Sequence, residues 1–212
     1  MARLIGGING KLEGKIGNMY YYTINGQTVA RARRKVSKVP PSTKQLASRQ
    51  RMKVVQQYLI PLVQFVKTTY AEVCLRKMFT PYNAATSELL KNAVRGEYLD
   101  YNIDPALVVI SKGKLQIPQD AAVLVSEGHL QFSWNGNGYK WPISNDRAIM
   151  LAYALELGEV IYDLCGAARH VGKDTLYLDD SWIGKTIDTY VAFRSEKGDK
   201  TSESVYTGSF IF

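Results

Sequence analysis

His129-Leu130-Gln131-Phe132-Ser133-Trp134 and the Asn135-Gly136-Asn137-Gly138 that follows it set the pattern for the second half of the chain. A short run suited to a pleated, half-buried surface is closed by residues that tolerate a turn. The same pairing recurs outward in both directions. Leu107–Ser111 and Ala122–Val125 precede it. Ala148–Ala154, Val160–Leu164, Thr175–Leu178, Ile187–Arg194 and Val205–Phe212 follow, with Lys112-Gly113, Asp179-Asp180 and Lys197-Gly198-Asp199 among the breaks. Eight short strands from about residue 103 onward, with no helical period, predict a β-sandwich.

Upstream the period changes. Ser42 stands three residues before Gln45, the spacing of a capping box, and starts a helix after Pro40-Pro41. Val55, Tyr58, Leu59, Leu62, Val66, Tyr70 and Val73 then recur at the spacing of one helical face, which reads as core packing. Pro61 lacks an N–H and should kink or split this helix. A second helix begins at Thr80-Pro81, with proline at its favoured first position, and ends before Gly96. The expected fold class is α+β in three parts: an arm with a β-hairpin over 1–41, a helical hairpin over 42–102 and the sandwich over 103–212.

Charge is concentrated at one end. Residues 1–53 hold twelve Lys or Arg against the single acid Glu13, or +11; residues 54–212 hold fifteen basic and eighteen acidic residues, or −3, and the sum is the net +8. Such polarity points to an anionic partner for the arm, either nucleic acid through residues 1–53 or an acidic groove on another subunit. Within the arm, Met19-Tyr20-Tyr21-Tyr22-Thr23-Ile24, Asn25-Gly26 and Gln27-Thr28-Val29-Ala30-Arg31 spell strand, tight turn and returning strand. The hairpin is expected near 19–24 and 27–33, behind a glycine-punctuated lead-in. Alternation puts Arg31 and Arg33 on one face. A lone hairpin is marginal in water, so a neighbour is expected to order it.

The bulk numbers exclude several classes. With 46% apolar residues the 212-residue chain can bury a core, yet no apolar run approaches the roughly 20 residues that span a bilayer. The opening residues lack the sustained apolar core of a secretory signal, so the protein is expected to act in a bacterial cytoplasm or in a virion. Cys74 and Cys165 are expected as two buried free thiols. His129 and His170 have no second ligand at metal-binding spacing, so no metal or cofactor is expected. Gly14-Lys15-Ile16-Gly17 lacks the Ser or Thr and the preceding apolar strand of a phosphate loop. Asp174, Asp179, Asp180 and Asp188 read as turn acids rather than cation ligands, and no nucleophile-elbow motif surrounds Ser181 beside His170 and Asp174.

Leu130-Gln131-Phe132-Ser133-Trp134, Leu176-Tyr177-Leu178 and Thr189-Tyr190-Val191-Ala192-Phe193 resemble the second, E and F strands of a fibronectin type III domain. The resemblance implies an inward Trp134, makes Tyr190 the F-strand tyrosine, and puts Gly198, Ser202 and Ser204 in the final hairpin. The whole chain also resembles a family of uncharacterised proteins from Bacteroidota and their phages. That likeness rests on Gly14-Lys15-Ile16-Gly17-Asn18, Gln45 to Arg51, Tyr82-Asn83-Ala84-Ala85, Ser133-Trp134 and Ser202-Glu203-Ser204-Val205-Tyr206-Thr207-Gly208. It carries no assigned activity.

The candidate partner-binding residues are Lys15, Tyr20, Tyr22, Arg31, Arg33, Arg34, Lys35, Arg49 and Arg51. Tyrosine and arginine serve both nucleic-acid contact, by stacking and phosphate pairing, and protein interfaces. Tyr20 and Tyr22 could instead face a core. The expected function is non-enzymatic: a structural subunit of a bacteriophage particle, docking on copies of itself or on other subunits. The alternatives are a nucleic-acid binder using the arm, and an adhesion module binding glycan or host protein through Asn135–Trp141, where Tyr139 and Trp141 sit on a turn.

Overall fold

The computed structural model describes residues 3–5 (backbone), 10–24, 26–34, 39–75 and 77–212. They divide into two units, residues 1–43 and 44–212. The first is an antiparallel meander of β1 (Arg3–Ile5), β2 (Lys11–Ile16), β3 (Met19–Ile24) and β4 (Gln27–Ala32), in that order across the sheet. The glycine-rich lead-in is therefore a pair of strands. Gly17, at a φ of +55°, takes the positive angle at the two-residue turn that sets Ile16 opposite Met19. The second turn joins Ile24 to Gln27 as the sequence predicts; its Asn25 lies outside the described residues. The Gly14–Gly17 stretch is strand and hairpin turn, without the following helix of a phosphate loop.

The second unit begins with α1 (Thr43–Leu59), α2 (Val63–Thr69), the single turn α3 (Ala71–Cys74) and α4 (Pro81–Asn92). Pro61 does split the first helix. The expected stripe is buried through Val55, Tyr58, Leu59, Leu62, Val66 and Tyr70, while Val73 is only half-buried. Thr80 caps α4, its hydroxyl accepting from the Asn83 amide at 3.2 Å. A two-residue ladder, β5 (Val94–Arg95) with β6 (Asn102–Ile103), turns the chain toward the sandwich.

Seven of the eight expected strands form. β7 (Ala122–Ser126), β8 (His129–Ser133) and β11 (Lys173–Tyr177) make one sheet in the order β11-β8-β7. β9 (Arg147–Ala154), β10 (Glu159–Asp163), β12 (Thr186–Arg194) and β13 (Val205–Ile211) make the other, in the order β10-β9-β12-β13. The expected strand Leu107–Ser111 does not form: Leu107 ends a 3-10 turn (Pro105–Leu107), and residues 108–111 run on as a strap outside any strand. Side chains take its backbone groups: the Ile110 amide donates to Ser204 Oγ at 2.9 Å, and Thr69 Oγ1 and Tyr70 Oη donate to the Ile110 and Val109 carbonyls at 2.8 and 2.6 Å.

Residues 44–212 form three layers, so the helices are not a domain apart from the sandwich as the sequence reading had them. Alternate residues of β9 serve two cores. Ala148, Met150, Ala152 and Ala154 pack with Leu130, Phe132, Trp134 and Trp182 between the sheets. Ile149, Leu151 and Tyr153 pack with Val55, Leu62, Phe65 and Leu89 of the helical layer. Tyrosines stitch that second interface: Tyr58 and Tyr190 hydroxyls meet at 3.1 Å, Tyr153 Oη donates to the Tyr58 carbonyl, and Tyr190 Oη to the Pro105 carbonyl. Burial pushes the Tyr153 phenol up to about 12 and those of Tyr58 and Tyr190 well above their ordinary value, so all three remain neutral donors.

Candidate functional site

Register in the first unit places Lys15 opposite Tyr20 and Tyr20 opposite Arg31, so a cation, an aromatic ring and a second cation lie in one row across three strands. Directly paired residues share a face of the sheet. The ladder closes beyond β4, where the Arg33 amide donates to the Asn18 carbonyl at 2.8 Å, and this carries Arg33 and Arg34 alongside Tyr20. Tyr20, Tyr22, Arg31, Arg33 and Arg34 line one shallow groove of about 410 Å³. Tyr20 is 43% exposed, Tyr22 is half-buried and no described residue of the sheet is buried, so the alternative in which Tyr20 and Tyr22 face a core does not hold. Among the described residues, none of the ion pairs involves a cation of this sheet. Lys35 lies outside the described residues.

Arg49 and Arg51 belong to the other unit, on α1. Arg49 is exposed. Arg51 is half-buried: its Nη2 donates to the Leu90 carbonyl at 2.7 Å at the end of α4, and its guanidinium stands 5.9 Å above the Tyr101 ring. Arg51 therefore joins two helices of its own chain and is withdrawn from the partner-binding set. Nothing local in the sequence marks it, because Leu90 lies 39 residues away.

The Asn135–Trp141 loop divides its two aromatics. Tyr139 is half-buried against the guanidinium of Arg169, 4.8 Å from ring centroid to Cζ, and the Phe193 ring centroid lies 3.7 Å from the same Cζ. Arg169 is fully buried, pairs with Asp146 at 3.2 Å and donates to the Gln116 carbonyl at 2.8 Å. Burial lowers the affinity of Arg169 for its proton despite the carboxylate, and raises that of Asp146 despite the guanidinium, so desolvation outweighs attraction in both. Trp134 Nε1 donates to the Arg169 carbonyl at 2.7 Å, which ties the inward tryptophan to the same cluster. Trp141, by contrast, is 76% exposed.

The other candidates serve the fold. Asp174 Oδ1 accepts from the Thr175 amide at 2.8 Å, Asp188 Oδ1 accepts from Tyr206 Oη at 3.2 Å, and His170 Nδ1 lies 2.9 Å from the Ser144 carbonyl. Both cysteines are free thiols, but Cys74 is half-buried and Cys165 exposed, because the chain bends after β10 where Cys165 has no core to face. Among the described residues no helix is long and apolar enough to cross a membrane, and no three His, Cys, Asp or Glu side chains cluster as metal ligands.

The structure thus defines an α+β chain: a helix-backed, seven-stranded β-sandwich with a basic, aromatic four-stranded sheet as a separate unit. The chain belongs to the Family of unknown function (DUF6266), whose model matches residues 10–208 and so includes both units. No curated protein matches it in sequence.

Proposed function

We propose that the protein is a non-enzymatic assembly component whose N-terminal sheet docks on an anionic surface of a neighbouring subunit, either a second copy or another structural protein. One observation carries this reading: no described residue of a four-stranded sheet is buried, although the sheet presents tyrosines and unpaired arginines in one groove. A sheet with none of its described residues buried gains little from folding alone and is stabilised by what covers it. Tyrosine and arginine are the side chains that concentrate binding energy once covered. The bacteriophage particle expected from the sequence supplies such neighbours. The strand orders β11-β8-β7 and β10-β9-β12-β13 support a fibronectin type III-like reading of the sandwich, although Tyr190 on β12 faces the helices and not the opposite sheet.

Light scattering on a sizing column, with nuclease-treated protein, tests the proposal. Full-length chain should run as a discrete oligomer, and a variant lacking residues 1–40 should dissociate. An oligomer unchanged by the deletion would overturn it. The groove itself favours one second reading, nucleic-acid binding, since Tyr20 and Tyr22 can stack while Arg31, Arg33 and Arg34 meet phosphates. On that reading full-length protein is monomeric and its affinity for duplex DNA falls by about 0.9 log units per log unit of salt for each phosphate neutralised. A flat salt dependence would sink it.

A further inference from the structure

At one end of the sandwich, between the loop that precedes β9 and the turn joining β12 to β13, lies a groove of about 360 Å³. Trp141, Pro142 and Ile143 form one wall; Glu196, Lys197, Asp199 and Lys200 line the other. We propose that this groove is a binding site for a neutral saccharide, with Trp141 as the platform on which a sugar ring lies. This site is independent of the N-terminal sheet and of the assembly role proposed for it.

Trp141 stands out within its own chain. Trp134 and Trp182 are 5% and 1% exposed, each with its indole N–H hydrogen-bonded, whereas Trp141 leaves 76% of its surface in water. An exposed indole costs free energy unless something covers it. The loop that holds it up is internally hydrogen-bonded. The Ser144 amide donates to the Lys140 carbonyl, the Asn145 amide to the Pro142 carbonyl, and Asp146 anchors the far end through buried Arg169. The opposite turn is equally fixed: Ser195 Oγ bonds Asp199 Oδ1 at 2.6 Å and accepts the Asp199 and Lys200 amides, while Arg194 donates to the Gly198 carbonyl. Both walls are therefore organised before anything binds, which limits the entropy lost on association.

Charge selects the occupant. Glu196 and Asp199 offset Lys197 and Lys200, and the charge of Asp146 is taken by Arg169, so the groove has no net attraction for a phosphate backbone or an anionic lipid. What it offers is an apolar aromatic face on one side and mixed donors and acceptors on the other. A pyranose has the matching shape: a face of C–H groups and a rim of hydroxyls, each able to donate and accept. The volume sits at the small end for ligand sites, with room for about one or two sugar units.

Tryptophan fluorescence of the full chain tests this directly, because emission quenched by acrylamide comes from Trp141 alone. Cellotetraose, maltotetraose, mannotetraose and chitotetraose would each be titrated to about 10 mM, roughly ten-fold above a millimolar Kd. At least one should shift the emission to the blue and cut the quenching by about half, as burial of one indole face requires. Saturation-transfer NMR on that saccharide should lose its signal with Trp141→Ala and weaken several-fold with Glu196→Gln. Both positions are exposed, so thermal unfolding should match the parent chain. Absence of protection by all four, binding undiminished by Trp141→Ala, or protection by a proline-rich peptide in their place would each overturn the proposal.

Discussion

Arg169→Met, Asp146→Asn and the double substitution give the sharpest test of how the sandwich holds its loop end. Asp146 is 4% exposed and pairs with the fully buried Arg169 at 3.2 Å. Removing either partner leaves a charge or a strong polar group buried without compensation, a loss of about 3–5 kcal/mol. Both hydrogen bonds to Asp146 and the Gln116 carbonyl leave from Nη2 alone, so the pair does not use the full donor set of the guanidinium and contributes little net stability against its desolvation. The double variant should therefore cost about as much as one single variant, with a coupling of about 3–5 kcal/mol. For a chain of this size each kcal/mol moves the Tm by about 2–4 °C, so the single variants should melt on the order of 10 °C below the parent. Urea unfolding followed by far-UV circular dichroism gives the three free energies. Additivity of the two single effects within about 0.5 kcal/mol would refute the argument, since it would mean that neither charge depends on the other.

Other elements allow shorter tests. Thr80→Ala removes the hydroxyl that receives the Asn83 amide and should cost about 1 kcal/mol in urea unfolding. Gly96 has a φ of +87°, and a Cβ there would overlap the Asp100 carbonyl; Gly96→Ala should lower the Tm by several degrees, on the order of 1–3 kcal/mol. Burial raises the Asp188 pKa above the ordinary carboxylate value, against hydrogen bonds from Ser209 and Tyr206 that lower it. The folded state then holds a proton that the unfolded state releases first, so parent stability falls as pH rises from the ordinary value through the raised one. Asp188→Asn removes that slope, and its stability relative to the parent should climb with pH over this window. An unchanged pH profile would count against the burial argument.

Much of the fold was legible because its signals are local. The turn between Ile24 and Gln27, the Thr80-Pro81 helix start and the break at Pro61 each depend on residues a few positions apart, and backbone sterics act over that range. The seven strands that form are short β-prone runs flanked by turn residues. Leu107–Ser111 carries the same texture and forms none, because side chains of Ser204, Thr69 and Tyr70, all distant in the chain, bond its backbone where a neighbouring strand would. The helical layer over β9 was missed, although Ala148–Ala154 has no polar alternation, as expected of a strand covered on both faces.

The candidate site divides along the same line. The composition and order of residues 1–53 by themselves determined that cations crowd the first quarter of the chain, since charge needs no fold to be counted. Only the pairing of β2, β3 and β4 decided that Lys15, Tyr20 and Arg31 form one row, because a slip of one residue would send each side chain to the opposite face. Only packing decided that Arg51 is occupied by Leu90, that Tyr139 closes over Arg169, and that Trp141 is left in water. Those outcomes turn on contacts between residues far apart in the chain, and no local propensity encodes them.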